Sequence, residues 1–208
     1  MYVIGPTRQY YQQLLCDFDC APAGATLTLG SLASYYGATV VEAAKQRLEE
    51  RWNIETLTDA CSTSAENNSS TILVIDAGEE HWLMTGDAGA PALNLGLDAL
   101  QAVQYDFAKL RFFQVPHHGS HHSVGPTLLN RMLGPKLAAG SAMTRTAYVS
   151  SAKSAPKHPS KKVMNAYRRR GVEVHATEGI GKTHGRDNGT RPGSSASIPL
   201  PFYSEVED

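Results

Sequence analysis

The stretch "QVPHHGSHHS", Gln114–Ser123, carries four of the chain's eight histidines within six residues, His117 to His122. Before it, "LRFFQVP" reads as a strand ended by Pro116. After it, Gly125-Pro126 opens the helical run "VGPTLLNRML", with proline at a first-turn position. Gly119 permits a sharp turn inside the loop. The histidines therefore stand at the C-terminal end of a strand, where α/β folds build their sites.

Outward from this loop the same punctuation repeats. "STILVIDAG" and "HWLMTGD" are strands joined by a turn at Gly78-Glu79-Glu80, which makes a hairpin. "APALNLGLDALQAVQY" is an amphipathic helix, "TAYVSS" a strand, "HPSKKVMNAYRRR" a helix and "GVEVHAT" a strand. From residue 70 the order is strand, strand, helix, strand, helix, strand, helix, strand, an α/β layer with helices outside a sheet. Upstream, "MYVIGP" is a short strand in need of a pairing partner, and Thr7 caps a helix in "TRQYYQQLLCDF". "TVVEAAKQRLEERW" reads as helical and "SAENNSS" closes a polar loop. From Gly179 the chain is rich in Gly, Pro and Ser without a helical period, so residues 185–208 are expected to form an extended tail.

Composition narrows the function classes. Nineteen Lys and Arg against twenty Asp and Glu leave a net charge of −1 over 208 residues. That argues against disorder and against a strongly basic nucleic-acid binder, and leaves "KHPSKK" and "RRR" as local basic patches. Cys16, Cys20 and Cys61 are an odd, loosely spaced set and read as packing thiols. The first residues lack the pattern of a secretory signal. No apolar run approaches the roughly 18 residues of a membrane span. The expected location is the cytoplasm, with no membrane partner.

Three loops carry metal-competent side chains at strand ends. His117 and His118 follow one strand, Asp87 follows "HWLMTG", and His158 in "KHPS" precedes the next helix. Imidazole nitrogen with carboxylate oxygen suits zinc, manganese or iron. A carboxylate between two cations can bridge them, and such a pair acidifies a bound water. The plainer readings are a turn or N-cap role for Asp87 and a loop-lining role for His121 and His122. His81, His175 and His184 read as surface or half-buried residues. "ATEGIGKT", Ala176–Thr183, matches a loose phosphate-loop pattern, but "HGRDNGTRPGSS" after it cannot supply the helix whose amides cradle phosphate.

The series "NNSSTILVIDAG", "WLMTGDAG", "FFQVPHHGSHHS", "KHPS" and "RRGVEVHAT" resembles the metallo-β-lactamase superfamily. It looks closest to the soluble hydrolase domain of bacterial DNA-uptake competence proteins and their free-standing relatives. The likeness covers residues 67 to 177 with short motifs in the right order. It implies an αββα sandwich of which this chain is the C-terminal βα half, residues 1–208 forming a single partial domain. It implies Asp87 as the carboxylate bridging two Zn2+ or Mn2+ ions, His117 or His118 as a ligand, and His158 as a catalytic group at the substrate or leaving group. Ser120, His121 and Asn68 would be substrate-contacting or supporting groups. The family's His-x-His-x-Asp-His motif has no counterpart here, so the site would be incomplete and turnover weak or absent. A missing N-terminal half or a homodimer mate would cover the exposed sheet face. The substrate implied is nucleic acid or another phosphodiester. The alternative is a pseudoenzyme half that binds a partner or ligand.

Overall fold

The computed structural model describes residues 1–18, 47–154, 158–185, 192–193 and 195–207. In chain order the elements are β1 (Tyr2–Gly5), α1 (Arg8–Leu14), β2 (Arg47–Glu49), α2 (Ala65–Asn68), β3 (Ile72–Asp76), β4 (His81–Met84), α3 (Ala90–Ala102), β5 (Leu110–Gln114), α4 (Pro126–Leu133), β6 (Arg145–Val149), α5 (Lys161–Arg169), β7 (Val172–Ala176) and β8 (Glu205–Glu207). This is a mixed α/β fold built on a six-stranded sheet of order β1-β3-β4-β5-β6-β7.

Strands β4, β5, β6 and β7 run parallel, and β3 is antiparallel to β4 in the expected hairpin, with Asp76 opposite His81. β1 finds its partner in β3, with Tyr2 opposite Val74. The four parallel strands therefore end on one edge, at Met84, Gln114, Val149 and Ala176. The antiparallel β3 begins on that same edge, because Leu73 pairs with Met84.

Strand alternation sorts side chains between two faces. Val74, Leu83, Phe113, Ala147 and Val174 point to the face covered by helices and are almost fully buried. Helix α3 packs on α4, and α4 on α5, so the three crossover helices lie side by side over that face. The opposite face presents Trp82, Phe112 and Tyr148, whose rings meet edge to face at 5.7 and 5.0 Å. The chain itself partly covers this face: His184 stacks on Phe112 at 4.5 Å and lies 3.3 Å from Glu80.

Two readings of the sequence need correction. The helical run at 39–52 is not a helix where it is described: Arg47–Glu49 pairs antiparallel with Glu205–Glu207, and residues 39–46 lie outside the described residues. The tail thus returns to form a strand, and Leu200 N donates to Val174 O at 2.7 Å on the way. The "RRR" patch is internal. Arg169 and Arg170 are 0% and 1% exposed. Arg169 donates to Glu50 Oε2 at 3.0 Å and to the Trp52 carbonyl at 3.0 Å, and also to the carbonyls of Arg51 and Ile54. Arg170 pairs with Glu55 at 2.8 Å and Asn130 Oδ1 at 2.9 Å. Arg168 donates to the Leu200 carbonyl. A guanidinium presents five donors in a fixed fork, and here those donors hold the turn after β2 and the returning tail.

Among the described residues no helix is long and apolar enough to cross a membrane.

Removing one partner of a buried ion pair strands the other charge, at a cost of about 3–5 kcal/mol. Arg169→Ala and Glu50→Ala should each lower the unfolding free energy measured in urea by that order. The double variant should lose less than the sum of the two, since both members of the pair are gone.

Candidate functional site

The loop after β4 is set by Gln114 at the end of β5. Its side-chain carbonyl accepts from Thr85 N and Gly86 N, each at 3.1 Å, and Thr85 Oγ1 donates to the Gln114 backbone carbonyl at 3.0 Å. Gly86 has φ +53, a region glycine enters without steric cost. Ser70 Oγ accepts from Asp87 N at 3.2 Å. The Asp87 carboxylate is thereby presented at the carboxyl edge of the sheet.

The loop after β5 turns through three consecutive left-handed residues, His117 (φ 46), His118 (φ 54) and Gly119 (φ 76). His117 N is tied across to the Gly86 carbonyl at 3.2 Å, which links this loop to the Asp87 loop. Ser160 N, at the start of α5, donates to the Gly119 carbonyl at 3.0 Å, which links it to the His158 loop.

The side chains converge. His118 Nε2 lies 3.9 Å from Asp87 Oδ1. The His117 ring is 6.2 Å from that of His118 and 6.4 Å from that of His158, centroid to centroid. The two adjacent histidines differ in what their nitrogens do. His118 Nδ1 is 3.0 Å from the Ser150 carbonyl, which can only accept, so Nδ1 carries a proton and Nε2 is the nitrogen turned toward Asp87. His117 has Nδ1 at 3.0 Å from Ser123 Oγ and Nε2 at 3.5 Å from Asn67 Nδ2, a donor. Both of its nitrogens are engaged by the protein. The two differ at Nε2, which faces Asn67 in His117 and Asp87 in His118.

Asn67 is a member that sequence reading missed; the expectation fell on Asn68. Asn68 is buried, and its amide donates to the carbonyls of Thr63 and Ser64 at 3.3 and 3.0 Å, so it shapes the turn before β3. The helical phase of α2, capped by Ser64, decides which asparagine reaches the loop. Ser120 is also internal at 3% exposure, its Oγ accepting from His122 N at 3.3 Å. His121 stacks on His122 at 4.0 Å.

The other histidines are not drawn in, and His81 and His175 are more enclosed than expected, while His184 is half-buried. His81, 8% exposed, opens β4 at the opposite end of the strand. Its Nδ1 meets Tyr105 Oη at 2.7 Å. Burial, with Asp106 and Asp76 nearby, pushes the Tyr105 phenol up to about 12, so the hydroxyl stays protonated. His175 is 7% exposed, and burial lowers its pKa. Lys182, in the phosphate-loop lookalike, donates to Ser197 Oγ at 2.8 Å, and residues 181–185 have no helix. Burial and then Asp59 raise the Cys61 thiol, as suits a packing residue; Cys20 lies outside the described residues.

A zinc ion sits ~2.0–2.2 Å from imidazole nitrogen and carboxylate oxygen alike, so the Asp87–His118 separation of 3.9 Å is within reach of one shared cation. Both side chains are about half exposed, at 45% and 50%, so the pair opens to solvent. Among the described residues no three His, Cys, Asp or Glu side chains gather tightly enough to hold an ion. The donors present therefore fit part of a metal site.

With this geometry in view, the comparisons with known proteins gain meaning. The chain is 34% identical over 123 residues to the uncharacterized protein YcaI of Escherichia coli strain K12. It is 28% identical over 120 residues to ComE operon protein 3 of Bacillus subtilis strain 168. These stretches are 59% and 58% of this chain but 14% of either relative, so the chain spans a small part of the curated relatives it matches. No protein-family model matches the chain, and no solved structure does.

Gly119 tests the join between the loops. A Cβ there would stand 2.8 Å from Pro159 Cβ and 3.1 Å from both Met164 Cε and Val149 Cγ2, at a φ that alanine resists. Gly119→Ala should cost at least ~1 kcal/mol in chemical denaturation. Gly179→Ala, also at positive φ but with nothing within 4 Å, should cost less.

Proposed function

We propose that this chain carries part of the site of a metal-dependent phosphodiester hydrolase of the metallo-β-lactamase type, with Asp87 and His118 as metal ligands. The observation that carries the reading is the orientation of His118, whose Nδ1 is held by the Ser150 carbonyl and whose Nε2 faces the Asp87 carboxylate at 3.9 Å. Metal-binding histidines commonly donate their second nitrogen to a carbonyl, which sets ring orientation and raises basicity. Convergence of the loops bearing Asp87, His117 and His158 supports it too. So does the similarity to ComE operon protein 3, a protein whose name places it in the ComE operon.

A bound Zn2+ or Mn2+ would supply an acidified water and charge stabilisation at a phosphoryl oxygen. The chain's own residues would do the rest. His117, braced by Ser123 and Asn67, holds the turn that aims His118. His158, within ring-stacking distance of His117, is the group positioned to orient or protonate a leaving oxygen. The remaining ligands come from water or from residues outside those described, so turnover by this chain alone is expected to be weak. The alternative, a non-catalytic module, draws on the half-buried Trp82 and Tyr148, which flank the Phe112 that His184 covers.

Titration of the purified chain with Zn2+ and Mn2+, followed by a phosphodiesterase assay, separates the readings. Asp87→Ala and His118→Ala should each weaken metal binding at least tenfold, while His121→Ala leaves it unchanged. Equal metal affinity in all four proteins would remove the hydrolase reading and leave the module.

A further inference from the structure

A cavity of about 210 Å³ opens at the carboxyl ends of β6 and β7. Ser151 and Lys153 line it from the loop after β6, His158 and Lys161 from the entry to α5, Glu178 from beyond β7, and Tyr203 from the returning tail. Lys161 Nζ lies 5.7 Å from the Tyr203 ring centroid, so the tail helps to set where that charge stands. Two lysines and one glutamate are among its lining residues, a balance that favours an anion. The volume is below the roughly 300–1,000 Å³ of pockets that enclose a whole small molecule, and suits one charged group with its immediate attachment.

Position says which anion. His158 lines this cavity and also stacks near His117 at 6.4 Å. Whatever occupies the cavity therefore neighbours whatever is held at Asp87 and His118. A molecule spanning both places carries one anionic group at the metal ligands and another at the lysines, as successive phosphates of a phosphodiester strand do. The chain as a whole, at net charge −1, offers no broad field to attract such a strand. Local contacts have to provide the affinity, and this cavity is built to make them. Of "KHPSKK", only part serves: Lys161 reaches the cavity, Lys162 is buried at 7% exposure, and Lys157 lies outside the described residues.

We propose that the Lys153–Lys161 cavity is a subsite for a second phosphate of a phosphodiester strand, adjacent to the group held at Asp87 and His118. The word "second" rests on the hydrolase reading; the subsite's charge does not. The test is fluorescence anisotropy with a short labelled single-stranded DNA across a salt series, on the full chain. The K153A/K161A variant should bind at least about tenfold more weakly, and its log–log salt slope should fall by about 0.7, the contribution of one neutralised phosphate of a single strand. The K153R/K161R variant should keep both affinity and slope, which rules out a folding effect. D87A should retain lysine-dependent binding, so the subsite stands even where metal titration has removed the hydrolase reading. An unchanged affinity and slope in K153A/K161A, or no binding of the DNA by the wild-type chain, overturns the proposal.

Discussion

The arrangement at the carboxyl edge depends on how closely Gly119 approaches Pro159. The Gly119 carbonyl accepts from Ser160 N, and the space where a Cβ would stand is filled by Pro159, Met164 and Val149. This contact joins the loop after β5 to the entry of α5. A second bond, His117 N to the Gly86 carbonyl, joins it to the loop after β4. Three loops from three parallel strands thus behave as one body. Parallel strands bring loop tips to a common edge, but only within the spacing of neighbouring strands, about 4.8 Å apart. The backbone bonds between loops reduce that coarse proximity to the 3.9 Å at which Asp87 and His118 face one another.

Behind the site, buried charge ties distant segments together. Glu50 accepts from Arg169, from Asn165 Nδ2 at 2.6 Å and from Thr56 N at 2.9 Å. Asn165 in turn accepts from Tyr203 N at 2.8 Å. One carboxylate therefore connects the turn after β2, helix α5 and the C-terminal segment. A buried pair with every donor and acceptor spoken for need not add net stability over apolar packing. It does specify which segments meet, since an apolar replacement would tolerate many docking angles. The cavity wall formed by Tyr203 inherits its position from this network.

The sheet, its hairpin and its crossover helices were legible because Gly and Pro mark each boundary and apolar periods change cleanly between them. The loops bearing Asp87, His117, His118 and His158 followed from those boundaries. Strand β2 was not legible. "RLEERW" places apolar and charged residues at helical spacing, and its strand partner, Glu205–Glu207, lies more than 150 residues away. Local propensity gave way to pairing and to the Arg169 fork. The choice between Asn67 and Asn68 turned on the phase of a four-residue helix. The different surroundings of His117 and His118 come from which imidazole meets a carbonyl and which meets a hydroxyl and an amide. None of these can be read from residue type or spacing.

The left-handed turn at His117–Gly119 bears on what the edge is for. A non-glycine residue in that region costs on the order of 1 kcal/mol or more, and here two stand in succession. A plain connection from β5 to α4 has no need of it, because a right-handed turn would serve without strain. What the reversed turn achieves is direction. It sends His117 inward to Ser123 and Asn67, and holds His118 outward, proton fixed by Ser150, against an exposed carboxylate. Strain that serves only to aim one imidazole nitrogen at one carboxylate is hard to assign to a partner-docking role, since the aromatic face lies on the broad side of the sheet and not at this edge. That asymmetry favours a ligand at the carboxyl edge, and with it the hydrolase reading over the module.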